Sequence, residues 1–577
     1  MKSIFLSTAL LAWGLAFELN VLHINDHHSH LDPLYFKMKV NEQPTEVLIG
    51  GYPSLVALIK ELKEKKPNPL VLHAGDAITG TLYYTLFKGS VDAKLMNITG
   101  IDYFTLGNHE FDAGNEGLKT FLDFLKVPVL SSNVIPSEGS ILKGYWKPWA
   151  IKEISGEKIG IIGLDVVKKT KESSSPGEDI KFIDEIEAAS KYSKLMADMG
   201  VNKVILLSHA GALKNYEIAQ KVSGIDLIIT GDTHFLFGNP RLEAMGLPVR
   251  AQYPMEFTSP ANEPVYVAEA WEYSKLLGSL KLVFDEKGVI KDIEGLPLIP
   301  YHQNFKRKKD GKSYELEGSE KEEINKALAQ ELNFVPAKID QAAQKILEEF
   351  KAQKQQLGSK IVGQIKGKSM LGGSANRIPS DSNPKGSVAT RFIAQTMLTQ
   401  LRSFGKNSVV HFALQNSGGV RANIEPGQMS YNDAYDLLPF DNTLFLMQIT
   451  GKELKASLEE ALQFALVEGS SGAFAYCADL RYEANKTPDK NGKRLIKVEV
   501  KEQDKWREIE EQRTYNMVTN AYIARGKDGY KTFGEVSGKG LGEDTYLNDA
   551  LSLVKFLELN PSFEAYEDSN VIFHYDK

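Results

Sequence analysis

The chain has 577 residues, of which 42% are hydrophobic and 25% are charged, and its formal net charge is −7. A chain of this length exceeds what one hydrophobic core usually organises, so two or three domains are expected. The negative charge and the lack of a long basic run argue against a protein that binds nucleic acid through its phosphates.

The first 16 residues have the pattern of a secretory signal peptide. Lys2 supplies a positive charge, residues 4–15 form a short apolar core, and small residues precede a cut after Ala16. The alternative is a buried first strand or helix. The apolar core is too short to cross a bilayer, and the tail at 569–577 is not apolar. The pattern therefore predicts export to the periplasm without a membrane anchor.

The chain contains a single cysteine, Cys477, so an internal disulfide is excluded. No basic partner lies near it in sequence, and a buried, unreactive thiol is expected.

An apolar strand followed at once by Asp, Asn or His recurs in the first half of the chain. Uninterrupted apolar runs of this kind are typical of strands buried on both faces, and helical patterns at 51–65 and 184–199 separate some of them. α/β and layered folds build their sites at the ends of such strands, so a metal or phosphate site is expected here. The predicted strands are 18–24, 70–73, 103–106, 204–207 and 225–230, and the polar residues that follow them are Asp26 and His28, Asp76, Asn108 and His109, His209, and Asp232 and His234.

Histidine is concentrated in the same half of the chain, with eight of the 11 histidines before Pro240. This distribution favours a metal site confined to the first domain. For His23, His27 and His30 taken singly, a solvated position is the expectation.

Two helical patterns, 319–333 and 337–357, separate two halves of dissimilar composition, and Gly358 favours a helix end. We interpret the second helix as a linker. The predicted organisation is a signal peptide at 1–16, a first domain at 17–335, a linker helix at 336–358 and a second domain at 359–577.

The second half contains a glycine loop, 416–421, whose backbone amides and Arg421 could hold an anion, with a simple hairpin turn as the alternative. Phe440 and Tyr522 lie in turn-like or strand-end positions. Aromatic residues there usually belong to the core, and composition alone does not assign them a base-stacking role.

These motifs carry a family resemblance. The five blocks of the first half resemble those of the calcineurin-like metallophosphatases, and 416–421, Phe440 and 526–529 resemble the C-terminal domain of the exported 5′-nucleotidase and UDP-sugar hydrolase family. The stretches 68–83 and 372–379, with Gly231-Asp232, are most similar to the NAD-cleaving branch of that family. The resemblance implies an α/β fold: an N-terminal four-layered α/β/β/α metallophosphatase domain, a linker helix and a smaller α/β substrate-binding domain.

The resemblance also implies an activity. This is an exported hydrolase with two divalent metal ions (Zn, Mn or Co) that splits NAD into NMN and AMP and dephosphorylates 5′-mononucleotides to nucleosides. Its partners would be small nucleotides such as NAD, NMN and AMP, with no nucleic acid and no obligate protein partner.

The family's functional positions carry over residue by residue. The implied metal ligands are Asp26, His28 and His234 for the first ion, Asp76 as the bridge, and Asn108, His209 and Asp232 for the second. The implied catalytic dyad is His109 and Asp112. The implied substrate-contacting residues are Arg377, Asn416, Gly419, Arg421, Phe440, Tyr522 and Asp528.

Asp232 departs from the family pattern, because most relatives have a histidine at that position. An aspartate can ligate zinc or manganese, but it adds a negative charge to the site.

Two other functions remain open. One is a UDP-sugar hydrolase or a general 5′-nucleotidase of the same fold. The other, from a different class, is a nucleotide-binding protein without catalysis, for which Asp232 is the only support.

Overall fold

The computed structural model of the chain describes residues 16–309, 312–404, 409–440, 442–468 and 471–574. The predicted signal peptide therefore lies outside the described residues, apart from Ala16. The chain divides into two compact units, the first comprising residues up to 79 together with 88–348, and the second 80–87 together with 349–577. No helix within the described ranges is long and apolar enough to cross a membrane.

The first unit is built on two β-sheets. The strands of the larger sheet, in spatial order, are Leu34–Val40, Gln43–Ile49, Ile290–Lys309, Leu277–Phe284, Phe17–Ile24, Pro69–His73, Tyr103–Thr105 and Val129–Leu130, with Lys312–Glu315 and Phe334–Pro336 paired to Ile290–Lys309. Those of the smaller sheet are Met255–Thr258, Pro264–Glu269, Leu227–Thr230, Val204–Ser208, Glu157–Leu164 and Trp149–Ile154. Two short pairs complete the unit, Val134–Pro136 with Ile180–Phe182 and Leu236–Gly238 with Val249–Gln252.

The two sheets share one hydrophobic core. Val21 and Leu72 of the larger sheet belong to the same buried cluster as Ile161, Leu206 and Ile228 of the smaller sheet. These strands are apolar at consecutive positions because both of their faces are covered. A sandwich of two sheets therefore forms the inner layers.

Helices cover the outer faces of this sandwich. Tyr52–Lys65 packs on the larger sheet, whereas Glu185–Asp198 and Ala212–Lys221 pack on the smaller one. The predicted helices at 51–65 and 184–199 are thus confirmed to within one residue, and Asp184 caps the second by accepting from the amides of Ile186 and Glu187. The other helices of this unit are Ser90–Thr99, Gly114–Phe124, Val167–Ser173, Pro240–Ala244 and Gly318–Ala329.

The helix interpreted as a linker is observed as Gln341–Gly358, so it begins four residues later than predicted and ends at the predicted glycine. Its buried positions include Ala343, Leu347 and Phe350. This i, i+4, i+7 spacing is that of one helical face.

The second unit contains a central five-stranded sheet with a hydrophobic cluster on each face. Its strands, in spatial order, are Ala475–Ala478, Phe412–Asn416, Thr514–Asn520, Thr443–Thr450 and Gly542–Asn548. Two smaller sheets comprise Gly427–Ser430, Ile361–Lys366 and Ser562–Glu564, and Lys505–Glu508, Leu495–Glu502, Leu480–Asn485 and Val571–His574. The helices are Leu82–Phe87, Val388–Phe404, Tyr431–Leu437, Gly451–Gln463, Ala521–Ala524, Lys531–Gly538 and Asp549–Leu559, with the π-helical turn Phe464–Glu468.

Candidate active site

The polar blocks of the first unit leave the sheets at neighbouring strand ends. Strands Phe17–Ile24, Pro69–His73 and Tyr103–Thr105 run parallel to one another, and so do Val204–Ser208 and Leu227–Thr230. Parallel strands present their carboxyl ends at the same edge of a sheet. Residues that directly follow these strands are therefore brought to one edge of each sheet, and the amide of Asp232, 3.1 Å from both carboxylate oxygens of Asp26, connects the two edges.

Backbone hydrogen bonds fasten the first two of these loops together. The amide of Asp26 donates to the carbonyl of Gly75 at 3.0 Å, and the amide of His28 donates to the carbonyl of Asp76 at 3.1 Å. Asp26, His28 and Asp76 all have φ values near +50°. Non-glycine residues are rarely held in this left-handed region, and such strain concentrates at functional sites.

Side chains from two loops form a first group. Asp26, His28 and His234 are buried, and one nitrogen or oxygen atom of each lies within 4.8 Å of the others. The Nε2 atoms of His28 and His234 are 3.1 Å apart, and His234 Nε2 lies 3.2 Å from Asp26 Oδ1. Two imidazoles and a carboxylate in this arrangement are a suitable ligand set for a divalent transition metal.

His234 is oriented by a residue that the sequence patterns did not single out. Its Nδ1 atom lies 2.7 Å from Glu272 Oε2, and Lys275 Nζ donates to the other oxygen of Glu272 at 2.6 Å. Burial acts to lower the pKa of His234, but Asp26 and Glu272 outweigh burial and raise it to about 10. A carboxylate that holds the outer nitrogen of a histidine fixes the inner nitrogen as a ligand.

A second group contains Asp26, Asp76 and His209, again within 4.8 Å of one another. His209 Nδ1 lies 2.6 Å from the carbonyl of Ala74, which directs Nε2 to a point 2.9 Å from Asp76 Oδ2. Burial acts to lower the pKa of His209, but Asp76 and Asp26 outweigh it and the pKa lies well above its ordinary value. Asp26 belongs to both groups, and Asp76 Oδ2 is also 3.6 Å from His28 Nε2.

Asn108 shows that this constellation suits a cation. Its Oδ1 atom is buried and has no hydrogen-bond partner within the described chain. An amide oxygen without a partner in the interior is costly, whereas the same oxygen is a good metal ligand. The next residue, His109, donates its amide hydrogen to Asp76 Oδ1 at 2.9 Å, which fixes Asn108 beside the second group.

Glu110 holds two of the ligand-bearing loops in place. Its buried carboxylate accepts hydrogen bonds from the amides of Gly107 at 2.7 Å, Asp76 at 3.0 Å and Ala77 at 2.8 Å. One side chain thus joins the loop of Asp76 to the loop of Asn108. Burial and Asp76 raise the pKa of Glu110 to about 7, whereas the hydrogen bonds from Gly107 and Ala77 act to lower it, so these bonds stabilise both the carboxylate and the geometry of the second group.

Gly107 permits the close approach of these loops. A Cβ atom at Gly107 would lie 2.3 Å from Asp76 Oδ1 and 2.7 Å from His209 Nε2. Any other residue would therefore displace two candidate ligands.

His109 and Asp112 lie beside the two groups. His109 Nδ1 is 2.6 Å from Asp112 Oδ2, and Ser174 Oγ donates to Asp112 Oδ1 at 2.9 Å. The ring of His109 packs edge-on against His28, with centroids 5.1 Å apart. Burial acts to lower the pKa of His109, but Asp112 and Asp76 outweigh it and raise the pKa to about 9. A protonated imidazole is thus held near the candidate metal positions at neutral pH.

Asp232 has a different setting from the other candidate ligands. It is absent from both close groups, and its Oδ1 atom accepts from Lys169 Nζ at 2.8 Å. Its amide lies 3.1 Å from both carboxylate oxygens of Asp26, and its charge contributes to the raised pKa of His209. Asp232 therefore borders the second group while pairing with a lysine.

The expectation of solvated positions for His23, His27 and His30 is wrong. His23 and His27 are buried, and His30 stacks on Tyr273 with ring centroids 4.0 Å apart. His27 Nδ1 lies 2.8 Å from His73 Nε2, and His27 Nε2 lies 3.2 Å from Asp92 Oδ1. The strand Phe17–Ile24 and the loop after it are covered by neighbouring elements, which removes His23 and His27 from solvent.

Cys477 is buried as expected, and burial raises the pKa of its thiol. The thiol is therefore unreactive at neutral pH.

In the second unit, the predicted substrate-contacting residues form a connected cluster. Asn416 Nδ2 donates to Asp528 Oδ2 at 3.0 Å, and the hydroxyl of Tyr522 donates to Asp528 Oδ1 at 3.2 Å. Asn520 Nδ2 donates to Asn416 Oδ1 at 2.8 Å and also to the side-chain oxygen of Gln415 at 2.9 Å. Asn520 thereby fixes the orientation of the Asn416 amide.

The glycine loop adds arginine and an aromatic ring to this cluster. The Arg421 guanidinium lies 5.3 Å from the centroid of the Phe440 ring, and its Nη1 donates to the carbonyl of Gly418 at 3.3 Å. Burial and the charge of Arg421 lower the pKa of Arg377, whereas Asp528 raises it, so the two arginines lie near each other. A Cβ atom at Gly419 would lie 2.5 Å from Gln415 Nε2.

Phe440 and Tyr522 leave about half of their surfaces in contact with solvent, at 53% and 45% exposure. These two aromatic residues therefore do not lie in the hydrophobic core, where aromatic residues in turns and at strand ends usually lie. Large exposed rings beside arginine and hydrogen-bonding side chains can stack on a planar ligand.

Residues of the site that the sequence patterns did not reveal are Glu110, Ser174, Lys169, Glu272, Gln415 and Asn520. Glu110 lies within a motif, so its buried carboxylate could have been suspected. The others lie in segments without a recognisable pattern.

Comparison with known proteins identifies both halves of the chain. Residues 19–236 match the calcineurin-like phosphoesterase family, and residues 361–535 match the 5′-nucleotidase C-terminal domain. A probable 5′-nucleotidase of Treponema pallidum is 55% identical over 560 residues, covering 96% of this chain and 94% of the relative.

Two further relatives are similar to nearly the whole chain. The NAD 5′-nucleotidase of Haemophilus influenzae is 50% identical over 567 residues, covering 97% of this chain and 93% of the relative. The solved structure of NAD nucleotidase from that organism aligns with a TM-score of 0.89 at 50% identity, covering 97% of this chain and 100% of that one. A 5′-nucleotidase precursor from Thermus thermophilus aligns with a TM-score of 0.57 at 30% identity, over 97% of this chain and 100% of that one.

Proposed function

This chain belongs to the 5′-nucleotidase family of calcineurin-like, metal-dependent phosphohydrolases. From that premise we propose that it cleaves NAD into NMN and AMP and then converts 5′-mononucleotides into nucleosides and phosphate. The observation that carries this proposal is the convergence of two groups of buried Asp and His side chains, with His109 beside them. The name of the Haemophilus relative supports NAD as a substrate.

The donor atoms of the two groups fit a pair of divalent cations. Asp26, His28 and His234 would hold the first, and Asp76, Asn108 and His209 would contribute to the second, with Asp232 next to it. Oxygen and imidazole donors without thiolates suit zinc, manganese or cobalt. Such a pair, when bound, supplies a nucleophilic water at neutral pH and neutralises phosphoryl oxygens.

His109 would hold and transfer the proton. Asp112 occupies Nδ1, so Nε2 is the atom that would address the substrate, and a pKa of about 9 keeps that atom protonated. Ser174 in turn holds the second oxygen of Asp112. An imidazolium in this position can stabilise a phosphoryl oxygen or protonate the leaving oxygen.

The two proposed reactions break the same kind of bond. In each, a water oxygen bonds to phosphorus and the bond from phosphorus to a bridging oxygen breaks. From NAD the departing oxygen belongs to a nucleoside monophosphate, and from AMP it is the 5′-oxygen of ribose. One centre can therefore serve both steps, provided that a proton is supplied to the more basic ribose oxygen.

The cluster of the second unit would select the substrate. Phe440 and Tyr522 offer exposed rings to a nucleobase, and Arg421 and Arg377 offer positive charge to a phosphate. Asn416 and Asp528 would bind ribose hydroxyls. Substrate selection would thus belong to the second unit, and hydrolysis itself to the first.

The pattern of the first 16 residues supports export, and we propose the periplasm as the location of the enzyme. Detection of the activity in a periplasmic fraction, and its loss from that fraction when residues 2–16 are deleted, would test this.

A substrate panel tests the proposed function. The protein is stripped of metal by chelation, reloaded separately with zinc, manganese or cobalt, and supplied with NAD, AMP, NMN and UDP-glucose. We expect NAD to yield NMN and AMP first and the nucleosides later, with no activity before metal is restored. A clear preference for UDP-glucose would instead indicate a UDP-sugar hydrolase, and nucleotide binding without hydrolysis under any metal would indicate a protein without catalysis.

A further inference from the structure

The ion pair between Lys169 and Asp232 lies at the border of the second group of candidate ligands. Lys169 is carried by the helix Val167–Ser173, which follows the strand Glu157–Leu164. Its Nζ atom lies 2.8 Å from Asp232 Oδ1, and the side chains are 22% and 5% exposed. A pair this close and this buried is screened far less than one on the surface.

The backbone determines the position of Asp232. Its φ is +80°, and its amide lies 3.1 Å from both oxygens of Asp26. A Cβ atom at Gly211 would lie 2.8 Å from Asp232 Oδ2, so a glycine two residues after His209 makes room for this carboxylate. Asp232 Oδ2 is thus directed toward the loop that carries His209, while Oδ1 faces Lys169.

The charges at this position form a simple sum. The second group already contains Asp26 and Asp76, and Asp232 adds a third negative charge next to them. The ammonium group of Lys169 offsets this charge, so aspartate and lysine together add no net charge beside the second group.

We propose that Lys169 is a positioning residue that neutralises Asp232 beside the second group of candidate ligands. Lys169 then sets how tightly this position holds a divalent cation, while Oδ2 of Asp232 faces Gly211 in the loop that carries His209. The inference rests on the proposed metal pair but not on the identity of the nucleotide substrate.

The test is a charge cycle with four proteins: the wild type, Lys169→Met, Asp232→His and the double variant. Each is stripped of metal and titrated with Mn²⁺ by isothermal calorimetry, which gives a dissociation constant for each of two sites. Methionine retains most of the length and volume of lysine while removing its charge. Lys168→Met, on the exposed neighbouring position of the same helix, is the matched control.

Removing Lys169 alone leaves an extra negative charge, so one of the two sites should bind Mn²⁺ at least about tenfold more tightly. One unit charge close to a divalent ion is worth at least this much in a protein interior. Replacing Asp232 alone leaves an uncompensated lysine, and the same site should bind at least about tenfold more weakly. The double variant should return to within about threefold of the wild type, as should Lys168→Met.

Three results would overturn the proposal. They are an unchanged affinity in Lys169→Met, a double variant no tighter than Asp232→His, and a wild type that binds fewer than two Mn²⁺ ions. Circular dichroism identifies a variant that does not fold, and Lys169→Arg, which keeps the charge, should then retain wild-type affinities. Because the titration contains no nucleotide, failure of the proposed substrate assignment would leave these results intact.

Discussion

Replacement of His109 by alanine separates the two steps of the proposed reaction. His109 Nδ1 is fixed by Asp112 at 2.6 Å, and its pKa of about 9 keeps the ring protonated at neutral pH. If its Nε2 proton is passed to the leaving oxygen, the loss should depend on the basicity of that oxygen. The ribose 5′-oxygen that leaves from AMP is far more basic than the phosphate oxygen that leaves from NAD.

The expected magnitudes follow from these roles. General acid catalysis contributes about 10²–10⁴-fold, so turnover of AMP by His109→Ala should fall by that factor. Turnover of NAD should fall at least about tenfold less, because a phosphate departs without needing the full transfer of a proton. The side chains of both candidate metal groups remain in place, so bound metal should be nearly unchanged.

The assay measures kcat for AMP and NAD separately, with metal content determined by mass spectrometry on the same samples. His574→Ala, at a half-exposed histidine of the second unit, is the control for the substitution itself. Equal losses on both substrates would place the action of His109 on the phosphoryl oxygens rather than on the leaving oxygen. Full activity of the variant would refute any catalytic role for this residue.

Three other changes probe different parts of the molecule. Phe440→Ala should raise the KM for AMP about 5–150-fold, since stacking on a base is worth about 1–3 kcal/mol, and it should leave kcat within about threefold of the wild type. An effect confined to kcat would contradict a role of Phe440 in binding. Glu110→Gln should lower the free energy of unfolding in urea by about 1.5–3 kcal/mol, because glutamine would place an NH₂ group against the amides of Ala77 and Ile78, which donate to Oε1, and bound metal should fall with it. Unchanged stability would show that these two hydrogen bonds do not hold the loop of Asp76 in place. His23 is buried with its pKa lowered to about 3, so the unfolded chain takes up a proton below pH 6.5 and stability is lost as the pH falls toward 3. Between about pH 6.5 and 5 this proton uptake lowers the free energy of unfolding by about 2 kcal/mol, and His23→Gln should not show that loss. An identical acid dependence of Tm in both proteins would show that His23 does not titrate on unfolding.

The candidate ligands could be predicted because they directly follow strands that are apolar at every position. Sequence order fixes where such residues leave a sheet, so Asp26, Asp76 and His209 could be placed together before any coordinates were available. The strand Pro69–His73, predicted as 70–73, shows how well this pattern defines an element.

The supporting residues could not be predicted in the same way. Glu272 contacts His234 from 38 positions away, and Lys169 contacts Asp232 from 63 positions away. Each lies in a turn or on a short helix whose local sequence resembles any solvated segment. The burial of His27 depends on His73 and Asp92, and that pairing appears only when the strand and the helix are packed together.

The short segment 80–87 lies early in the chain, yet it is counted with the second compact unit. Its Phe87 ring packs on Phe350 with centroids 4.8 Å apart, and Leu82 and Leu86 pack on the hydrophobic core of that unit. A fragment beginning at residue 349 would therefore present a bare apolar groove to water and aggregate or misfold. Exchange of the C-terminal half alone with that of a relative would likewise separate this segment from the surface on which it packs.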